Sequence, residues 1–171
     1  MALIPRPLLL VVADTNVPMD LARGKDDVVD AIELIHRRLH GRNLLIPPRV
    51  VRELAYLADF AEEDEVRVAA ADFLRRHREW GCQLVADVSL GNEFVEQVAR
   101  QIRAARLLPS SEVNDSVIVV EAAALGASLL LTSDEHVRGI DLPDLKLLLD
   151  RFDLSAPVIA TPAEIVRKFL R

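Results

Sequence analysis

Short, continuous apolar runs alternate with longer amphipathic segments along this chain of 171 residues. Such runs, without polar alternation, are typical of strands that are buried on both faces. We predict strands at residues 8–13, 44–46, 83–85, 128–132 and 145–149. Strands of this kind need helices on both faces of their sheet. The pattern therefore predicts an α/β fold, a three-layer α/β/α sandwich with a mainly parallel sheet of about five strands.

The segments between the predicted strands have helical periodicity, with apolar residues recurring at three- and four-residue spacing. We predict helices from Asp26 to Gly41, from Pro48 through Leu57, and at 62–78, 91–107, 112–125 and 161–170. Ser110 or Ser111 is expected to cap the helix at 112–125, and Thr161-Pro162-Ala163-Glu164 is a strong helix-start pattern. No repeat, linker or low-complexity tract interrupts this order. We therefore expect one domain over residues 1–171.

The short N-terminal apolar run, the single cysteine and the net charge argue against several classes of protein. The apolar run that ends at Ala13 is too short for a signal-peptide core or a membrane span, so we expect no membrane association. Cys82 is the single cysteine, which fits a reducing cytoplasm. The net charge of −6 argues against a protein that coats nucleic acid through a basic surface, but it does not exclude a nuclease.

Four acidic residues, far apart in sequence, are predicted to meet at one edge of the sheet. Asp14 and Asp134 follow the first and fourth predicted strands, while Glu53 and Asp115 lie near the starts of helices that begin at the same edge. Ligands of open parallel sheets bind beyond the carboxyl ends of the strands. Each acid alone has a structural explanation as a cap, a turn residue or a solvated helix residue. Their joint convergence is harder to explain in that way.

A divalent cation would account for such a cluster, because like-charge repulsion otherwise opposes it. Carboxylate oxygens are the ligands that Mg²⁺ prefers, and the chemistry that this predicts is metal-assisted cleavage of a phosphodiester. Without metal, we expect like-charge repulsion to raise the pKa of at least one of the four carboxyls.

Other charged residues near these positions leave alternatives open. Arg49 and Arg52 could contact phosphate at the mouth of the cleft or lie in solvent. Glu121 stands in the middle of an apolar helix and is explained by a partner contact or by pairing with an arginine. His136 could assist proton transfer, although a lone histidine more often has a structural role.

Four ordered motifs carry a resemblance to a known family. They are Ala13-Asp14-Thr15-Asn16, Arg52-Glu53-Leu54, Asn114-Asp115-Ser116-Val117-Ile118 and Leu131-Thr132-Ser133-Asp134. Together they resemble PIN-domain ribonucleases of the VapC toxin type, over residues 8–149. The resemblance implies a helix-flanked parallel sheet, dependence on Mg²⁺ or Mn²⁺, and RNA as substrate.

Residue by residue, the resemblance implies roles for eight side chains. Asp14, Glu53, Asp115 and Asp134 become the catalytic, metal-binding acids. Thr15 or Asn16 would orient the first of them, and Thr132 or Ser133 the last. The chain departs from the pattern at His136, where many members carry another acid. The charged helical region at 62–78 makes it longer than the compact toxins of the family.

The resemblance implies the toxin half of a type II toxin–antitoxin pair, with an antitoxin partner and a homodimeric state. The alternatives are an RNA-processing PIN nuclease without a toxin role, and a non-catalytic PIN-like domain that binds RNA or protein. A phosphotransfer enzyme of the haloacid type would normally have a second aspartate where Asn16 stands. The absence of a glycine-rich loop after the first strand argues against nucleotide hydrolysis.

Overall fold

The computed structural model describes residues 9–38 and 44–170. Within these residues the strands form one five-stranded sheet in the order β3-β2-β1-β4-β5, and every neighbouring pair is parallel. The strands are β1 (Val11–Ala13), β2 (Leu44–Ile46), β3 (Cys82–Leu84), β4 (Leu129–Leu131) and β5 (Val158–Ala160). The predicted parallel α/β architecture is confirmed.

Helices connect the strands. In chain order they are α1 (Asn16–Ala22), α2 (Asp26–Arg38), α3 (Pro48–Phe60), α4 (Asp64–Arg76), α5 (Asn92–Ala104), α6 (Val113–Ala124), α7 (Glu135–Arg138), α8 (Leu142–Asp150) and α9 (Pro162–Phe169). The short helices α1 and α7 were not predicted, because neither is long enough to have a clear helical period. No helix in the described part of the chain combines the length and apolarity needed to cross a membrane.

The prediction of a strand at 145–149 is wrong, since these residues belong to α8. Leu145, Leu148 and Leu149 are buried, whereas Leu147 is 66% exposed, so the apolar side follows a helical period. The helix starts at Asp141, whose side chain accepts a hydrogen bond from the Asp144 backbone N–H at 3.0 Å. The fifth strand is instead β5, which pairs with β4 at the sheet edge.

Smaller differences concern the ends of elements. The predicted helix from Asp26 ends at Arg38 in the described residues, and its expected end at Gly41 lies outside them, as does Leu8 of the first strand. The expected cap at Ser110 or Ser111 is wrong: Glu112 is the N-cap residue of α6, and no side chain among the described residues caps that helix. The capping box at Thr161 and Glu164 is confirmed.

The two central strands position the functional edge. Every residue of β1 is fully buried, and the residues of β4 are at most 6% exposed. β1 and β4 pair with each other in parallel, with Val12 opposite Leu130 and Ala13 opposite Leu131. The residues that follow these strands are therefore held side by side by two paired, buried strands at the centre of the sheet.

Candidate active site

The structure brings all four predicted acids to the carboxyl edge of the sheet. Asp14 follows β1, and Asp134 follows β4 as the N-cap residue of α7. Glu53 lies in the second turn of α3 and Asp115 in the first turn of α6. Their charges interact: those of Glu53 and Asp134 act on Asp14, and those of Asp14 and Asp134 act on Asp115.

Asp14 is the buried member of the group, with 3% of its surface exposed. Its Oδ1 accepts the Thr15 backbone N–H at 2.7 Å, and its Oδ2 accepts the Thr132 hydroxyl at 2.7 Å. Burial raises the pKa of Asp14, the charges of Glu53 and Asp134 add to that rise and the two hydrogen bonds oppose it, so that the pKa lies at about 6. A buried carboxyl with two fixed hydrogen bonds has a single orientation.

The predicted supporting residues link the acids in pairs. The Thr15 hydroxyl donates to Glu53 Oε2 at 2.6 Å, so residue 15 joins Asp14 to Glu53. The Thr132 hydroxyl, which donates to Asp14, also accepts the Asp134 backbone N–H at 3.0 Å. Thr132 is thus the shared partner of the first and last acids.

Asn16 and Ser133 contact each other across the two strand ends. The Ser133 backbone N–H donates to the Asn16 side-chain oxygen at 3.1 Å. Asp134 uses its Oδ1 to accept the Val137 backbone N–H at 3.0 Å, which caps α7. These bonds hold the chain after β1 against the chain after β4 on the same edge as the acids.

Asp115 has the most perturbed carboxyl of the group. Burial, a hydrogen bond shared with Glu112 and the charges of Asp14 and Asp134 together raise the pKa of Asp115 to about 8. Raised pKa values were expected, but their main cause is different: burial contributes more than like-charge repulsion for both Asp14 and Asp115.

Sequence reasoning missed Glu112. This residue lies one turn before Asp115, and its Oε1 is 3.4 Å from His136 Nδ1. The signal was available in the three-residue spacing of two acids at a helix start, which places both at the same helix end. A fifth carboxyl therefore adjoins Asp115, one of the four that were predicted, and it lies beside His136.

We expect Thr132→Val to change the titration of Asp14 while the protein stays folded. Valine keeps the shape of threonine but removes the hydroxyl that donates to Asp14 and accepts from Asp134. The loss of a stabilising donor should raise the pKa of Asp14 further. Carboxyl-carbon NMR titration checks this, and Thr161→Val, at the remote cap of α9, is the matched control. An unchanged Asp14 titration would contradict the role given to Thr132.

The donor chemistry at this edge suits a hard divalent cation. Carboxylate oxygens are the usual ligands of Mg²⁺ and Mn²⁺, and their negative charges need compensation. Within residues 9–38 and 44–170, no three His, Cys, Asp or Glu side chains form a group that could hold one ion as they stand. Mg²⁺ is usually bound through one or two carboxylates and several waters, so such a closed group is not required.

Comparison with known proteins identifies the family. The PIN domain family matches residues 11–142, which include all four acids and most of the chain. The chain belongs to the PIN domain family. PIN domains are generally nucleases. No curated protein matches this PIN domain sequence.

A solved structure has the same fold. It is the crystal structure of VapBC2 from Rickettsia felis bound to a DNA fragment from their promoter. Superposition gives a TM-score of 0.60 at 16% sequence identity, and it covers 90% of this chain and 98% of the other. At this identity the likeness supports the PIN fold alone.

Proposed function

We propose that this PIN domain is a metal-dependent endoribonuclease. The observation that carries the proposal is the convergence of Asp14, Glu53, Asp115 and Asp134, from four separate elements, on the carboxyl edge of the sheet. Perturbed carboxyl pKa values gathered in one place are typical of functional sites, because catalysis and metal binding use carboxyls in desolvated, mutually repelling surroundings. Membership of a family of nucleases supports the same activity.

The four acids would hold Mg²⁺ or Mn²⁺, which supplies Lewis-acid polarisation of a phosphate and lowers the pKa of a bound water. Thr15 and Thr132 fix the carboxyls of Glu53 and Asp14 before a substrate arrives. This preorganisation reduces the reorganisation needed during reaction. A side-chain hydrogen bond with Glu112 contributes to the raised pKa of Asp115.

The test of this function is direct. Purified protein is incubated with a defined mixture of RNAs, with Mg²⁺ or with EDTA, and the cut ends are mapped by sequencing. We expect internal cleavage that depends on Mg²⁺ or Mn²⁺ and stops with EDTA. RNA binding without cleavage would favour the non-catalytic PIN-like domain, and cleavage that persists in EDTA would contradict the metal dependence.

We infer that the biological role is that of the toxin in a type II toxin–antitoxin pair, acting in the cytoplasm as a homodimer with an antitoxin partner. The support is the shared fold with VapBC2. Growth arrest on expression, relieved by a small neighbouring gene, is the expected result. Expression that the cell tolerates, together with metal-dependent cleavage in vitro, would favour an RNA-processing nuclease instead.

A further inference from the structure

A second polar network lies in a cleft of about 250 Å³ between α3, α5 and α6, and two of these helices also carry Glu53 and Asp115. Its members are Arg49 and Arg52 of α3, Glu96 of α5, and Asn114 and Glu121 of α6. The pairing of Glu121 with arginine, one of the two explanations drawn from the sequence, is confirmed. None of these side chains belongs to the proposed metal site.

Glu121 caps a helix other than its own. It is 1% exposed, and its Oε2 accepts the Arg49 backbone N–H at 2.8 Å. Arg49 is in the first turn of α3, where backbone N–H groups have no partner within the helix. Pro47, the N-cap residue of α3, gives no side-chain hydrogen bond to the described residues. The carboxylate of Glu121 also lies at the positive end of the α3 dipole.

Arg49 joins the three helices through its side chain. Its Nη2 donates to Glu96 Oε1 at 2.5 Å, and its Nη1 donates to Asn114 Oδ1 at 3.1 Å. The buried Nε has no hydrogen-bond partner among the described residues. Arg52 adds a weaker contact, with its Nη2 3.8 Å from Glu121 Oε1. The start of α3 therefore contacts α6 at two places, Asn114 near the beginning of α6 and Glu121 near its end.

The position of this network relates it to the acids. Glu53 lies four residues after Arg49, one turn further along α3, and Asp115 directly follows Asn114 on α6. Contacts made by Arg49 therefore join the two helices that carry these acids. The Thr15 hydroxyl donates a further hydrogen bond to Glu53 itself.

We propose that Glu121 and Arg49 are positioning residues that set Glu53 relative to Asp115 for cation binding. The inference rests on the proposed function. A buried charge pair is seldom a better source of stability than well-packed apolar residues, and burial raises the pKa of Glu121. Burial of a carboxylate within α6 has a desolvation cost, and Glu121 is 1% exposed. A requirement for one fixed arrangement of the helices would explain why that cost is accepted.

The experiment compares three variants with the wild-type protein by calorimetric Mn²⁺ titration in the absence of RNA. Glu121→Leu removes the acceptor, Glu121→Gln keeps an oxygen for the Arg49 N–H, and Asp150→Asn breaks the exposed pair with Lys146 as the control. We expect Glu121→Leu to weaken Mn²⁺ binding about tenfold, as loss of groups behind metal ligands typically does. Glu121→Gln should restore most of the affinity, and Asp150→Asn should match the wild type.

Thermal unfolding in EDTA is measured on the same samples, so that a loss of fold is recognised. Equal Mn²⁺ affinity in Glu121→Leu and wild type would overturn the inference, as would weakening that Glu121→Gln fails to reverse while remaining folded. If Glu121→Leu does not fold, Arg49→Lys tests the Arg49 half of the inference, because lysine lacks the planar fork whose two Nη atoms bond Glu96 and Asn114. Asp14→Asn separates the two proposals: normal Mn²⁺ binding in that variant would contradict the proposed function itself.

Discussion

Asp14→Asn is expected to reduce RNA cleavage about a thousandfold while the protein stays folded. A metal ion contributes several kcal/mol of transition-state stabilisation, and each 1.36 kcal/mol is a factor of ten in rate. The asparagine side chain would keep an oxygen for the Thr15 N–H but lose the charge that a cation needs. The measurement is single-turnover cleavage of a mapped RNA, with circular dichroism to verify the fold.

The same substitution should stabilise the metal-free protein. The pKa of Asp14 is raised from its ordinary value of 3.8 to about 6, so its ionised form is disfavoured in the folded state. Near neutral pH that shift corresponds to a cost of about 3 kcal/mol, which the neutral amide avoids in part. Asp150→Asn is the matched control, being the same change on the exposed end of α8. Cleavage at the wild-type rate, or a variant less stable than wild type, would contradict the role of Asp14.

The second large effect is a loss of metal-free stability as pH rises. Both Asp14 and Asp115 have a folded-state pKa, about 6 and about 8, above the ordinary value of 3.8. Between the ordinary and the raised values the folded state holds more protons than the unfolded state, so the free energy of unfolding falls with increasing pH. The contribution is fully present below about pH 4 and is lost as pH rises through about 6 and then about 8.

Thermal unfolding in EDTA at about pH 5.5 and about pH 8.5 measures this effect. Asp115 is half-exposed, so its contribution to the change in stability is reduced by solvent screening. We expect Asp14 and Asp115 together to lower the melting temperature by about 5 °C between the two pH values. The doubly substituted protein Asp14→Asn/Asp115→Asn is the comparison. Its melting temperature should fall less as the pH rises, because it lacks both carboxyls. Added Mg²⁺ should restore the wild type at the higher pH. Equal pH dependence in the two proteins would show that these carboxyls titrate normally.

The fold was predictable from sequence where the apolar runs had one interpretation. The runs ending at Ala13, Ile46 and Leu131 are short and bounded by turn or helix-start residues, and each is a strand in the structure. The leucine run at 145–149 had two interpretations, because a short apolar stretch fits a buried strand or one face of a helix. Asp141 and Pro143, the start of α8, distinguish the two.

The candidate site was predictable to the extent that strand ends and helix starts determine it. The alternation of strands and helices places Asp14, Glu53, Asp115 and Asp134 on one edge without any knowledge of side-chain contacts. The partners that tune them depend on tertiary packing. The sharing of Thr132 by two acids and the contact of Glu112 with Asp115 join residues whose relation no periodicity reveals.

The most direct test of a shared cation site is a calorimetric Mn²⁺ titration of the metal-free protein and of four single variants. They are Asp14→Asn, Glu53→Gln, Asp115→Asn and Asp134→Asn. We predict saturable binding in the wild type and a loss of at least about tenfold in affinity in each variant, as expected of four carboxylates that share one cation site. Wild-type affinity in the Glu53 or Asp134 variant would contradict the account, because the acids would then act separately.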